Sequence, residues 1–143
     1  MHRRLAAVCL ALFAASAARA APSCKSITVT ALAFGNYDVY SAAPTDSAGT
    51  IGYSCPPPTV PSITIDAGLA FANGTRRMTL STGTDWLAYE IYADAARTVV
   101  WSSTPIAVPA GNGASVPFYA RAFAQQDVSV GAYSDTLVVT FNF

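Results

Sequence analysis

The residue types that carry most enzymatic chemistry are sparse in this chain. Its 143 residues hold one histidine (His2), three cysteines (Cys9, Cys24 and Cys55) and eight acids, of which Glu90 is the lone glutamate. A Ser-His-Asp or Cys-His nucleophile system needs an imidazole, and so does a His-ligated zinc or iron site. His2, however, opens a secretory signal: Arg3 and Arg4 follow it, then the apolar run Leu5 to Ala15, then the small-x-small triplet Ala18-Arg19-Ala20. Cleavage after Ala20 removes both His2 and Cys9. The paired-carboxylate chemistry of a glycosidase would then fall to Asp66 and Glu90. Nothing in their spacing brings them together, and Asp66 stands at a strand-to-turn position where a carboxylate usually caps backbone amides. No Asp-x-Asp-x-Asp-Gly loop is present to hold calcium. The expectation is a chain with no catalytic residues, no metal ligands and no cofactor.

Residues 21–143 form the expected mature chain, a single domain by length. Five basic residues (Lys25, Arg76, Arg77, Arg97 and Arg121) face eight acids there, a net charge of −3. That balance offers no basic surface to nucleic acid. The run Leu5 to Ala15 is 11 residues long, well short of the roughly 20 that cross a bilayer, so no membrane span is expected. Cys24 and Cys55 are the two cysteines left in an exported chain, where oxidising conditions favour a disulfide between them. Closing that loop stabilises the fold by on the order of 3.5 to 4 kcal/mol in the chain-entropy model. Ala21-Pro22-Ser23 ahead of Cys24 is not the context in which a cysteine is lipidated.

Other side chains admit two readings each. Arg76-Arg77 would suit an anionic ligand, although a pair beside Asn73-Gly74-Thr75 more often makes a solvated turn. Trp86, Trp101, Tyr89, Tyr92 and Tyr119 would stack on sugars, although aromatics in alternating strands more often pack in a core or across strands. Two loops are apolar enough to adhere to a surface, Ala67 to Ala72 and Pro105 to Gly113.

The elements that must position these residues read as short strands between turn signals. Ser26 to Phe34 alternates and ends at Gly35-Asn36; Thr50 to Cys55 is stopped by Pro56-Pro57-Pro58; Ser62 to Ala67 alternates again. Asn73-Gly74 marks a turn before Arg77 to Leu80, Leu87 to Ala93 suits a half-buried strand, and Asp94 to Arg97 turns into the strand Thr98 to Trp101. Pro105 to Gly113 reads as a loop, Ser115 to Phe123 as a strand interrupted by Pro117, and Val130-Gly131-Ala132 as a turn. The last run, Ser134 to Phe143, alternates most cleanly, with Leu137, Val139, Phe141 and Phe143 on one face. Seven or eight short strands with an early disulfide predict an all-β chain, an antiparallel β-sandwich of immunoglobulin-like type. A barrel is the alternative.

Several segments, in order, resemble the spore coat protein U domain family, which includes the subunits of archaic (Csu-type) chaperone-usher pili. They are Leu32-Ala33-Phe34-Gly35-Asn36-Tyr37, Gly52-Tyr53-Ser54-Cys55, Ile65-Asp66-Ala67-Gly68 and Arg76-Arg77-Met78. Leu87-Ala88-Tyr89-Glu90-Ile91-Tyr92 with Asp94-Ala95-Ala96-Arg97 follows, and then Gly131-Ala132-Tyr133-Ser134-Asp135-Thr136-Leu137 with Val138-Val139-Thr140. Together they span nearly all of residues 24–143. The resemblance implies an incomplete immunoglobulin-like sandwich that lacks its final strand and is completed by a donor strand. Its implied partners are a periplasmic chaperone, an outer-membrane usher and other pilus subunits, and its implied destination is a surface fibre reached through the periplasm. Leu137, Val139, Phe141 and Phe143 are then the expected chaperone and donor-strand interface. Polymerising members carry a donor segment ahead of the first cysteine. Three residues between Ala20 and Cys24 reach only about 10 Å, against roughly 33 Å for a ten-residue donor strand. The expectation is therefore a subunit at the fibre tip. A coat protein that forms no pilus and a self-contained carbohydrate-binding module are the competing readings.

Overall fold

The computed structural model describes residues 23–143, so the expected secretory signal, residues 1–20, lies outside the described residues. Nine strands make up the regular structure of the described residues: β1 (Lys25–Val29), β2 (Thr45–Cys55), β3 (Ser62–Ile65), β4 (Arg76–Leu80), β5 (Trp86–Tyr92), β6 (Ile106–Ala107), β7 (Gly111–Ala122), β8 (Tyr133–Ser134) and β9 (Val139–Asn142). They form two antiparallel sheets, one ordered β1-β2-β7-β5-β4-β8 and the other β6-β3-β9. This is the expected all-β sandwich, and no helix occurs among the described residues. Disulfide-bonded Cys24 and Cys55 tie the start of β1 to the end of β2.

The long central strands β2 and β7 carry the core because one face of each turns inward and both their edges find partners. Ile51, Tyr53 and Cys55 of β2 alternate inward, as do Phe118, Ala120 and Ala122 of β7. Ile63 and Ile65 of β3 close over them from the second sheet, with Tyr89 and Ile91 of β5 and with Trp101. Burial of apolar side chains of this size stabilises a fold by about 1.5 to 3 kcal/mol each. The turn at Asn73-Gly74 is as the sequence predicts. Both residues have positive φ (52° and 75°) and an isolated bridge joins Ala72 to Thr75, the geometry Asn-Gly adopts most readily.

Four departures from the sequence expectations have physical causes. Pro117 does not interrupt β7, which pairs with β2 along Gly111 to Ala122; the ladder from β5 begins only at Tyr119, so Pro117 sits where one edge of β7 needs no donor. The expected loop Pro105 to Gly113 is largely absorbed into β6 and the start of β7. Thr98 to Trp101 is not a full strand. It returns along β5 through one bridge at Tyr92 and Val100 and through the Trp101 N–H, which donates to the Ile91 carbonyl across 2.8 Å. The predicted strand Ser134 to Phe143 splits into β8 and β9, because residues 135–138 are held by carboxylates instead of a ladder.

The first predicted strand, Ser26 to Phe34, also ends early. β1 stops at Val29, and residues 30–40 continue beside β2 without a ladder, held by the Thr30 N–H donating to the Thr50 carbonyl and by Ser47 Oγ donating to the Ala33 carbonyl. Alternation survives as far as Phe34, with Leu32 and Phe34 turned inward and Ala31 and Ala33 facing solvent, and Tyr37 turns inward beyond it. The edge of Phe34 meets the ring of Tyr89 at 5.8 Å between centroids.

Candidate functional site

An open cleft of about 1270 Å³ runs along one side of the sandwich. Its first lip is the stretch from Val29 to Tyr40, its second the stretch from Asp127 to Val139, and its floor is the core itself, with Ile51, Ile65, Met78, Tyr89, Ile91 and Phe118. The lips run in opposite directions. The first climbs from the disulfide, past Ile51 at Val29, to Tyr37, whose hydroxyl donates to the Phe123 carbonyl. The second descends from Asp127 to Phe141, whose ring packs against Tyr53 at 5.3 Å near the disulfide.

Alternation of hydrogen bonds shows that the second lip ends in an unused strand edge. The Ile65 N–H donates to the Ser102 carbonyl, away from β9, whereas the Asp66 N–H donates to the Val138 carbonyl, each across 3.0 Å. In an antiparallel ladder these orientations alternate. Val138 and Thr140 therefore turn their backbone groups toward β3, and Val139 and Phe141 turn theirs outward. β9 pairs with β3 alone among the described residues. The side chains of Val139 and Phe141 meanwhile point inward, with Thr140 exposed. At each of these two residues an apolar side chain and an unpaired N–H and C=O meet one empty lane, the arrangement that accepts an added strand.

Two carboxylates build that lip. Asp66 Oδ1 accepts from the Val138 N–H (2.9 Å) and from the Gly68 N–H (3.2 Å). Asp135 Oδ1 accepts from the Thr136 and Leu69 amides, and its Oδ2 accepts from the Tyr89 hydroxyl across 2.7 Å. Burial pushes the Tyr89 phenol well above its ordinary pKa, and the bond to Asp135 adds to the shift, so this tyrosine is a neutral donor. Gly68 (φ 77°) packs so close to Asp135 that an added Cβ would strike the carboxylate.

The expected interface residues divide along the cleft. Leu137 and Val139 line it, Phe141 closes its disulfide end against Tyr53, and Phe143 is 61% exposed, off the inward face that alternation gave it. That departure is physical: β9 ends at Asn142, so no ladder fixes the direction of the next side chain.

The competing sites resolve into structure. Asp66 is committed to amides as above. Glu90 is buried and ion-paired with Arg76, which also donates to the carbonyls of Asp66, Ile65 (3.0 Å) and Trp101 (2.7 Å). Arg76 is therefore no part of a solvated turn, contrary to the sequence expectation. Sequence reasoning missed this residue because its partners come from three other segments; the lone Glu90, set inside an apolar strand pattern, was the available signal. Arg77 lies over the Trp86 ring, 4.3 Å from its centroid. Trp101, Tyr89 and Tyr92 are buried, so they serve the core and not a sugar platform. Of the two apolar loops the first remains a loop and presents large apolar side chains, with Leu69 82% and Phe71 49% exposed, whereas the second is largely taken into strands. Among the described residues no helix is long and apolar enough to cross a membrane.

Comparison with known proteins bears on this geometry. The family model described as the Spore Coat Protein U domain matches residues 9–140. A curated relative, "Protein U" of Myxococcus xanthus, is 35% identical over 127 residues, which span 78% of this chain and 71% of that protein. A solved structure, the CsuC-CsuE chaperone-tip adhesion subunit pre-assembly complex from archaic chaperone-usher Csu pili of Acinetobacter baumannii, contains a similar fold. The TM-score is 0.62 at 23% identity, over 85% of this chain and 40% of that one. At that identity the likeness is one of fold, and the chain spans less than half of that neighbour's length.

Proposed function

The chain belongs to the Spore Coat Protein U domain family, and from that premise we propose that it is a structural subunit of a chaperone-usher pilus or related surface fibre, completed by a strand from another polypeptide. The observation that carries this reading is the empty lane beside β9, where the outward backbone of Val139 and Phe141 and their inward side chains border an apolar cleft open to the core. Left unfilled, such a lane exposes core side chains and an unpaired strand edge, a template for aggregation. A periplasmic chaperone strand fills it first, and a donor segment of a neighbouring subunit replaces that strand at an outer-membrane usher. Export follows the signal at residues 1–20, and the finished fibre lies at the cell surface.

Leu137, Val139 and Phe141 form the acceptor face in this reading, with Phe143 beyond its end. The similarity of fold to a chain from a chaperone-tip adhesion subunit complex supports the assembly class. A terminal place in the fibre is the finer proposal. It rests on the three residues between the expected cleavage site and Cys24, and mass spectrometry of the mature N-terminus tests it. A second reading, a surface coat without a pilus, is favoured by the family description and uses the same lane.

Periplasmic expression tests the main reading. Produced alone, the chain should aggregate or be degraded; co-produced with a cognate chaperone, or with a donor strand fused through a flexible linker, it should accumulate in soluble form. A chain that is monomeric and thermally stable by itself would overturn the reading.

A further inference from the structure

We propose that the segment filling this groove carries lysine or arginine at the end remote from the disulfide, in addition to its alternating apolar side chains. The inference rests on the reading of the groove as an acceptor site and concerns the chemistry of what it accepts. Asp38, Asp127 and Asp135 line the cleft, and no lysine or arginine lines it among the described residues. Asp38 and Asp127 stand at one end of it. The Tyr37 hydroxyl accepts from the Gln126 N–H across 3.0 Å, and Asp38 and Asp127 each follow one of these two bonded residues in the chain.

That place is the end of the cleft away from Cys24 and Cys55. Tyr37 reaches the Phe123 carbonyl there, beside Ala122, whereas the disulfide stands at the opposite end of the β2–β7 ladder. The cations among the described residues do not neutralise it. Arg76 is bound to Glu90, Arg97 and Arg121 both reach Asp46, Arg77 covers Trp86, and Lys25 stands opposite Ser54 in the ladder at the disulfide end. Among the described residues the ion pairs thus engage only Glu90 and Asp46 of the eight acids. Asp85, hydrogen-bonded to Ser129 of the same lip, adds a further charge to that side. The Asp135 carboxylate is satisfied by neutral donors, so its charge also stays uncompensated.

The result is a lane that is apolar along its floor and negative at one mouth. An extended segment with alternating apolar residues fits the floor, and a basic residue at its far end meets Asp38 and Asp127 where water still screens the pair. Rim charges of this kind chiefly set selectivity and association rate, and each contributes modestly to affinity. The expected gain is roughly three- to tenfold, lost with added salt.

The test refolds residues 21–143 with synthetic eleven-residue peptides of alternating valine and threonine. Each peptide ends in two lysines, two serines or two glutamates, placed at its N-terminus in one set and at its C-terminus in the other. The reading is the peptide concentration that gives half-maximal soluble monomer. Lysine at one terminus only should lower that concentration roughly three- to tenfold relative to serine, and glutamate there should raise it. The difference should vanish in about 0.5 M salt and should shrink to the part that Asp85 and Asp135 sustain in the double variant Asp38→Asn, Asp127→Asn, in which the amide oxygen at position 38 still accepts from the Tyr40 N–H as the carboxylate does. Equal effects at both termini, equal potency of all charges, or a preference undiminished in the double variant would overturn the inference while leaving the acceptor groove intact. Failure of every peptide, whatever its charge, would overturn the groove reading itself.

Discussion

Asp66 and Val138 hold each other twice. The Asp66 N–H donates to the Val138 carbonyl and the Val138 N–H donates to the Asp66 carboxylate. This double contact binds the inner edge of the last strand to β3 one residue before β9 begins, and it thereby decides which residues turn outward. Because Val138 faces β3, Val139 must face the empty lane.

Asp66→Ala should therefore loosen the lip more than a surface change would. It removes an acceptor from two partly solvated amides, and a hydrogen bond of that kind contributes about 0.5 to 1.5 kcal/mol. Urea unfolding of the strand-complemented protein measures the loss. Asp66→Asn, which retains a carbonyl acceptor, should lose less than Asp66→Ala.

The Arg76–Glu90 pair should behave as a buried ion pair with further obligations. Glu90→Gln leaves the guanidinium without a counter-charge, and breaking such a pair typically costs about 3 to 5 kcal/mol. A fully apolar replacement of both residues should not restore stability, since the carbonyls of Ile65, Asp66 and Trp101 lose their donor with Arg76. Unfolding of the single and double variants in one cycle checks this. Recovery of wild-type stability in the double variant would show that Arg76 serves Glu90 alone.

How far the amino-acid pattern foretold this arrangement depends on the range of the interactions. Alternation in Ser134 to Phe143 located Leu137, Val139 and Phe141 on the inward face, because strand periodicity is a local property. Asn73-Gly74 likewise marks its own turn. Arg76 could not be read in that way. Its burial is made possible by Glu90 and by carbonyls of residues 10 to 25 positions away, and no local window contains them. Residues 30–34 keep their alternation without a ladder, since pairing depends on what stands alongside. The same limit applies to the cleft mouth: Asp38 and Asp127 lie far apart in the chain, and it is the bond between their neighbours Tyr37 and Gln126 that brings them to one end of the cleft.

Acid should weaken the outer face of the six-stranded sheet before the core. A hydrogen bond from Arg121 holds the Asp46 carboxyl below its ordinary pKa, with Arg97 and Arg121 charges adding to it and partial burial opposing. A depressed folded pKa means that this contribution is present above the unfolded value, about 3.9, and is lost as pH falls through the lower folded one. Asp46→Asn should lower the melting temperature slightly at neutral pH and flatten its decline below about pH 4. An unchanged acid limb in the variant would remove Asp46 from the account.

Side chains on the two faces of β9 should differ in their consequences. Val139→Asp and Phe141→Asp place a charge on the inward face and should abolish capture of a donor or chaperone strand, read by co-purification from the periplasm. Thr140→Asp lies on the exposed face and should leave capture largely intact. Equal effects at the three positions would contradict the alternation.

The most direct measurement is amide hydrogen exchange resolved at residues 138–142 in the chain complemented by a fused donor strand. Thr140 is bonded to β3 whether or not the lane is filled. Val139 and Phe141 can be protected only by a strand on the outer edge. The account predicts slow exchange at all three positions. Fast exchange at Val139 and Phe141 beside a protected Thr140 would contradict it.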